Sequence, residues 1–289
     1  MLDLRIGAAT QRFAVLGESL PHTWSPAIHN SLFQQAGRDA VYLPVTVPME
    51  KLPSAVDVLR SCFAGFNVTI PYKERIMPLL DGVDAAARVC GAVNTVENCG
   101  GKLIGHITDG LGMLTALRLG GVATDHVRVL ILGGGGAARV AGYEFLSRAG
   151  EVTFAVRDVG KGVRLAGELA ETQDDGMARI RVCTLDSVPS GAYDILVNCT
   201  PVGMYPRVGE SPVEREVVSR CAAVFDAVYN PRRTRLLELG AQLGLPCVEG
   251  LGMLFYQAVE AQKLWFSGET GVAQSAQEAI YAELLARMK

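Results

Sequence analysis

The stretch that decides the fold is VRVLILGGGGAARVAGYEFLSRAGEVTFAVRD, residues 127–158. Val127 to Leu132 is an apolar run of strand length, Gly133-Gly134-Gly135-Gly136 is a turn, the segment to Gly150 carries a helical period, and Glu151 to Val156 is a second apolar run. That order is a βαβ unit. Glycines between a strand and a helix permit a tight turn and let backbone N–H groups at the helix N-terminus approach a pyrophosphate. Gly133 and Gly135 fit the first two places of the dinucleotide fingerprint, and Ala138 takes the third. A tight connection without a ligand uses the same glycines, so it is the placement between strand and helix that favours a nucleotide.

The same alternation extends outward. Apolar runs read as strands at Phe13-Leu16, Ala40-Pro44, Gly65-Ile70, Val129-Leu132, Val152-Val156, Ile195-Asn198 and Ala223-Asp226, with helical periods between them. This is α/β with mostly parallel sheets, and 289 residues suggest two domains. One helix is expected to start at Ser25 as a side-chain N-cap with Pro26 at its first position, to bury Ile28, Leu32 and Phe33, and to end at Gly37.

Composition removes several classes. With 49% hydrophobic and 20% charged residues the chain has enough apolar surface to bury a core. A net charge of -3 and no Lys/Arg cluster leave no footprint for nucleic acid. The longest apolar runs, such as Val129 to Ala138, fall well short of the ~20 residues that span a bilayer. The opening MLDLRIGAATQRF has no basic segment before an apolar one, so a cytoplasmic location is expected, with no membrane partner. Seven cysteines without a C-x-x-C pair read as reduced thiols, and the four histidines (His22, His29, His106, His126) lack ligand spacing, so no metal is expected.

Several residues invite chemistry. Thr23 and Ser25 place two hydroxyls before a helix N-terminus, where a carboxylate is favoured, although capping and a plain turn explain them equally. Lys73 follows the strand end Asn67-Val68-Thr69-Ile70-Pro71 and, read alone, is a surface lysine. Asp109, in Gly105-His106-Ile107-Thr108-Asp109-Gly110, reads alone as a turn or cap acid. Beyond the second strand of the βαβ unit, Arg157 and Lys161 suit the 2′-phosphate of NADP, whereas Asp158 suits the free 2′-hydroxyl of NAD.

Taken in order, the motifs resemble the shikimate dehydrogenase family over nearly the whole chain. They are S-P-x-x-H-N (Ser25, Pro26, His29, Asn30), N-V-T-I-P-Y-K (Asn67-Lys73), G-A-V-N-T (Gly91-Thr95), T-D-G (Thr108-Gly110), G-x-G-G-A-x-R (Gly133-Arg139), N-x-T-x-x-G-M (Asn198-Met204), D-x-x-Y-N-P-x-x-T-x-L-L (Asp226-Leu237) and M-L-x-x-Q-A (Met253-Ala258). The resemblance implies reversible NADP-dependent reduction of 3-dehydroshikimate to shikimate, a step of the chorismate pathway of aromatic amino acid biosynthesis. It implies a catalytic pair, Lys73 and Asp109, and a substrate site of Thr23, Ser25, Asn67, Thr69, Asn94, Tyr229 and Gln257. Gly133, Gly135, Gly136, Ala137, Arg157, Asp158, Lys161, Thr200 and Gly250 would meet the cofactor.

The chemistry agrees: a hydride moved to a carbonyl needs a proton at the oxygen, which an ammonium paired with a carboxylate can deliver. Three departures stand out. Thr23 replaces a serine, Ile107 replaces an asparagine beside the catalytic acid, and Asp158 replaces a threonine.

The expected architecture is an N-terminal α/β substrate domain, 1–109, completed by C-terminal helices of 250–289, and a Rossmann-type domain, 110–249, with the active site in the cleft between them. A quinate/shikimate dehydrogenase or paralogue using NAD, and a nucleotide-binding sensor without catalysis, are the alternatives. A monomer or homodimer acting on a small ring acid completes the expectation.

Overall fold

The computed structural model describes residues 6–21, 23–172 and 175–287, so His22 lies outside the described residues. The chain divides into two compact units, Met1–Thr108 with Gln257–Lys289, and Asp109–Tyr256. The divisions suggested by the sequence are 109/110 and 249/250.

The first unit runs β1 (Gln11–Gly17), α1 (Ser25–Gln35), β2 (Ala40–Thr46), α2 (Leu52–Cys62), β3 (Gly65–Val68), α3 (Tyr72–Arg75), β4 (Gly82–Val83), α4 (Ala85–Cys90), β5 (Thr95–Cys99) and β6 (Lys102–His106). Its six-stranded sheet has the order β2-β1-β3-β5-β6-β4. It is mixed: β1 pairs in parallel with β2 and β3, while β3–β5 and β5–β6 are antiparallel. Phe13, Val15, Phe33, Ala40 and Tyr42 form a core cluster against which Trp265 and Phe266 pack.

Helix α1 corrects one expectation. Ser25 does not cap it: the N-cap is Trp24, already in a helical conformation at φ -90, ψ -11, with no side-chain cap bond. Thr23 Oγ1 accepts from Ser25 N at 3.4 Å instead. Pro26 therefore stands at the second helical position, where a missing N–H still costs no intrahelical bond. The end is as expected: Gly37, at φ 64, takes the left-handed position after the helix. Gly37 N bonds Gln34 O at 3.1 Å and Arg38 N bonds Phe33 O at 2.9 Å, a Schellman closure.

The second unit continues with α5 (Asp109–Leu119), β7 (Arg128–Leu132), α6 (Gly136–Leu146), β8 (Glu151–Val156), α7 (Val159–Ala170), β9 (Ile180–Thr184), β10 (Ile195–Asn198), α8 (Arg215–Val218), β11 (Val224–Asp226), α9 (Arg235–Gln242) and β12 (Cys247–Glu249); α10 (Gly250–Trp265) begins in it, and from Gln257 on belongs to the first unit. The chain closes with α11 (Gln274–Arg287), which packs on α1 in the first unit. All strand pairs of the second sheet are parallel, in the order β12-β11-β10-β7-β8-β9. Read from its own first strand this is the 3-2-1-4-5-6 order of dinucleotide-binding sheets, whose switch point lies between β7 and β10. Among the described residues no helix is long and apolar enough to cross a membrane.

Candidate functional site

In the first unit the sequence-selected residues meet through buried hydrogen bonds. Asn67, at the end of β3, accepts from Tyr42 OH at 2.7 Å and donates to Asn94 O at 3.1 Å and Thr95 Oγ1 at 2.9 Å. Asn94 Oδ1 accepts from Thr108 N at 2.8 Å, and Asn94 Nδ2 donates to Thr108 Oγ1 at 3.0 Å and Gln257 Oε1 at 3.2 Å. Asn67, Asn94 and Gln257 are 6%, 3% and 7% exposed, so each bond is made where water competes weakly. Both N–H groups of Asn67 are committed, and its oxygen takes the Tyr42 hydroxyl and the His29 side chain.

Tyr42 is the residue the sequence did not single out. It links Asn67 to Ser25, whose side chain bonds its hydroxyl, and burial pushes its phenol well above the ordinary range. The H-N of the first motif holds this tyrosine: His29 stacks on its ring at 4.1 Å and 5°, while Asn30 accepts from Tyr42 N at 2.8 Å and donates to Tyr42 O at 3.0 Å. Burial keeps His29 neutral, its pKa lowered to about 3.

Lys73 is half-buried in the short α3, and its carbonyl accepts from Val93 N at 2.8 Å, which fixes it next to the Asn94 segment. Thr69 N bonds Leu16 O at 3.0 Å, holding Thr69 at the end of β1. Ile107 is buried, 4% exposed.

In the second unit Asp109 is half-buried at the first position of α5. Gly133 leaves β7 at φ 110, and a Cβ there would lie 3.2 Å from Thr200 and 3.3 Å from the Cys199 backbone, so the turn brings the glycine run to the end of β10 at the switch point. Helix α6 starts after Gly135 with no side-chain cap. Gly134 to Ala137 are exposed, with nothing within 4 Å of a Cβ at Gly135 or Gly136, whereas Ala138 is buried against the sheet. Arg157, Asp158 and Lys161 are all exposed at the end of β8, and Asp158 Oδ1 caps α7 by accepting from Lys161 N at 3.0 Å. Tyr229 is exposed in the loop after β11. Gly250 opens α10 so close to that loop that a Cβ would meet Ala227 O at 2.6 Å.

Asp226, at the end of β11, is 0% exposed, and burial raises its pKa to about 6, against the opposing bonds of Thr234, Val228 and Asn198. The folded state therefore binds this proton more tightly than the unfolded state, so the group's contribution to stability falls as pH rises from the ordinary carboxyl range toward 6. An Asp226→Asn variant is expected to lack that fall: between about pH 4 and pH 7 the wild type loses roughly 2–3 kcal/mol more than the variant. Urea unfolding at both pH values checks this, and equal losses would contradict it.

Three comparisons bear on this geometry. The model of the "Shikimate dehydrogenase substrate binding domain" matches residues 15–96. A shikimate dehydrogenase (NADP(+)) of Methanopyrus kandleri is 39% identical over 98% of this chain and 99% of its own length. A solved shikimate dehydrogenase in complex with NADP+ is similar at TM-score 0.88 and 35% identity, covering 97% of each chain. The Thermus thermophilus shikimate 5-dehydrogenase, solved with NADP(H) and shikimate, is similar at TM-score 0.83 and 33% identity, covering 95% of this chain and 99% of its own.

Proposed function

The chain belongs to the shikimate dehydrogenase family, and from that premise we propose how its own residues carry out the NADP-dependent interconversion of shikimate and 3-dehydroshikimate. The observation that supports the reading is the buried polar network in which Asn67, Asn94 and Gln257 meet. A polyhydroxylated ring is held by such amides and hydroxyls, because each offers directed donors and acceptors. The relatives are named shikimate dehydrogenase (NADP(+)), which favours neither a quinate enzyme using NAD nor a silent sensor.

The second unit fits the cofactor. Open backbone N–H groups at the uncapped start of α6 suit a pyrophosphate, and the space at Gly135 and Gly136 admits it. Gly133, Gly135, Gly136 and Ala137 would hold the phosphates, Arg157 and Lys161 the 2′-phosphate, and Thr200 and Gly250 the nicotinamide end. When bound, NADPH supplies the hydride and NADP+ accepts it.

The chain's own residues manage the proton and the ring. In the reducing direction the Lys73 ammonium donates to the substrate carbonyl oxygen, polarises it, and delivers the proton as the alkoxide forms. In the reverse direction it takes that proton back. Asp109 accepts from a ring hydroxyl. Thr23 and Ser25 donate to the substrate carboxylate, while Asn67, Thr69, Asn94, Tyr229 and Gln257 hold the hydroxyls. We place the enzyme in the cytoplasm, where its seven free cysteines stay reduced, as a monomer or homodimer to be decided by sedimentation.

Ser25→Ala and Thr23→Ala are each expected to weaken shikimate binding by about 1–3 kcal/mol, the scale of a hydrogen bond to a charged group, with NADP affinity unchanged. Ser25 makes no cap bond in α1, but its variant also loses the bond to the Tyr42 hydroxyl, so Tm is measured alongside affinity. Calorimetric titration of both ligands checks this; wild-type shikimate affinity in both variants would remove the carboxylate site from these hydroxyls.

A further inference from the structure

Two motifs that the mechanism leaves partly unused meet at the switch-point end of the second sheet. Asn198 ends β10 and Asp226 ends β11, and the two residues are direct partners in the parallel register. The Asp226 carboxylate accepts from Asn198 Nδ2 at 2.9 Å, Val228 N at 3.0 Å and Thr234 Oγ1 at 2.6 Å. Asn198 Oδ1 faces its own loop and accepts from Thr200 N at 2.9 Å and Thr200 Oγ1 at 2.7 Å; Asn198 Nδ2 also reaches Val202 O at 3.3 Å. Each acid or amide thus ties down the loop that follows it, and the Asn198–Asp226 bond joins the two loops.

We propose that Asp226 is a positioning residue: through Asn198 it sets the loop that carries Thr200, and through Val228 and Thr234 it sets the loop that carries Tyr229. The inference rests on the reading above, in which Thr200 meets the cofactor and Tyr229 the ring acid. Stability alone does not account for the group. A fully buried carboxylate bonded only to uncharged donors is costly, and an apolar pair at adjacent strand ends would fill the same space without that cost. What the carboxylate supplies is three directed acceptor bonds to two loops and a helix start, since Thr234 also caps α9. A satisfied polar network fixes one arrangement where apolar packing tolerates several.

The test uses Asp226→Ala and Asp226→Asn in the whole chain, with the NADP Kd by calorimetry, the KM and kcat for shikimate, and Tm. The alanine variant is expected to raise both the NADP Kd and the shikimate KM about tenfold, on the scale of one or two lost hydrogen bonds at the loops. The asparagine variant should bring both within about threefold of wild type, because its oxygen accepts the two N–H bonds and its amide donates to Thr234 Oγ1. A folded alanine variant that loses only Tm, or moves only one of the two constants, overturns the proposal, as does an asparagine variant impaired like alanine. If the alanine variant does not fold, Thr234→Val, which removes only the hydroxyl, takes its place. A raised shikimate KM supports the proposal there, and wild-type constants overturn it. Failure of the underlying reading shows separately, as a wild type that does not oxidise shikimate; the NADP Kd then still tests the Thr200 arm.

Discussion

Lys73→Ala is expected to lower kcat for shikimate by roughly 10²–10⁴-fold while KM changes far less, because a proton-transfer group acts mainly in the transition state. Asp109→Asn is expected to have an effect of the same order, since an amide cannot accept a proton. Both substitutions spare the scaffold: α3 is held by the Lys73 carbonyl, which the alanine keeps, and Asp109 occupies the first position of α5, where asparagine is also well tolerated. Steady-state kinetics with folded variants decide the matter. Wild-type kcat in both would dismiss the pair.

Arg157→Ala is expected to reduce the preference for NADP over NAD by roughly 5- to 30-fold, the scale of one charge-assisted bond discounted for exposure. If Arg157 and Lys161 face the 2′-phosphate as proposed, their two attractions outweigh the one repulsion from Asp158, so NADP is expected to be preferred with NAD still usable. The geometry softens the repulsion, because one Asp158 oxygen is engaged at Lys161 N and the positive end of α7 offsets its charge. Asp158→Thr should widen the NADP preference without unseating α7, as threonine also caps. High salt should narrow the preference, because all three groups are exposed. Ratios of kcat/KM for the two cofactors at low and high salt check each statement. A wild type that prefers NAD tenfold at low salt would mean that Asp158 holds the ribose hydroxyls.

The second unit was the more legible one. Its strands β7, β8, β10 and β11 are continuous apolar runs because helices cover both faces of a parallel sheet, and such runs are visible in sequence. The edge strands β9 and β12 are not legible, because both are only partly buried where β11, as short as β12, is buried throughout. In the first unit the hairpin β5–β6 escaped although Gly100-Gly101 was a turn signal, because its strands mix buried and exposed positions. β3 also stops at Val68, short of the exposed Ile70. The motifs nominate candidate residues but not what connects them. Tyr42 joins Ser25 to Asn67 across distant segments, and no local spacing announces such a contact. The Ser25 cap failed for a backbone reason, since Trp24 was already helical.

The most direct test is the initial rate of NADP reduction at the reduced-nicotinamide absorbance band, with shikimate and then quinate as substrate and with NADP and then NAD as cofactor. The account predicts turnover that is fastest with shikimate and NADP and that falls by at least about 10²-fold in Lys73→Ala. Binding of NADP and shikimate without any turnover, or a tenfold preference for quinate with NAD, would contradict it.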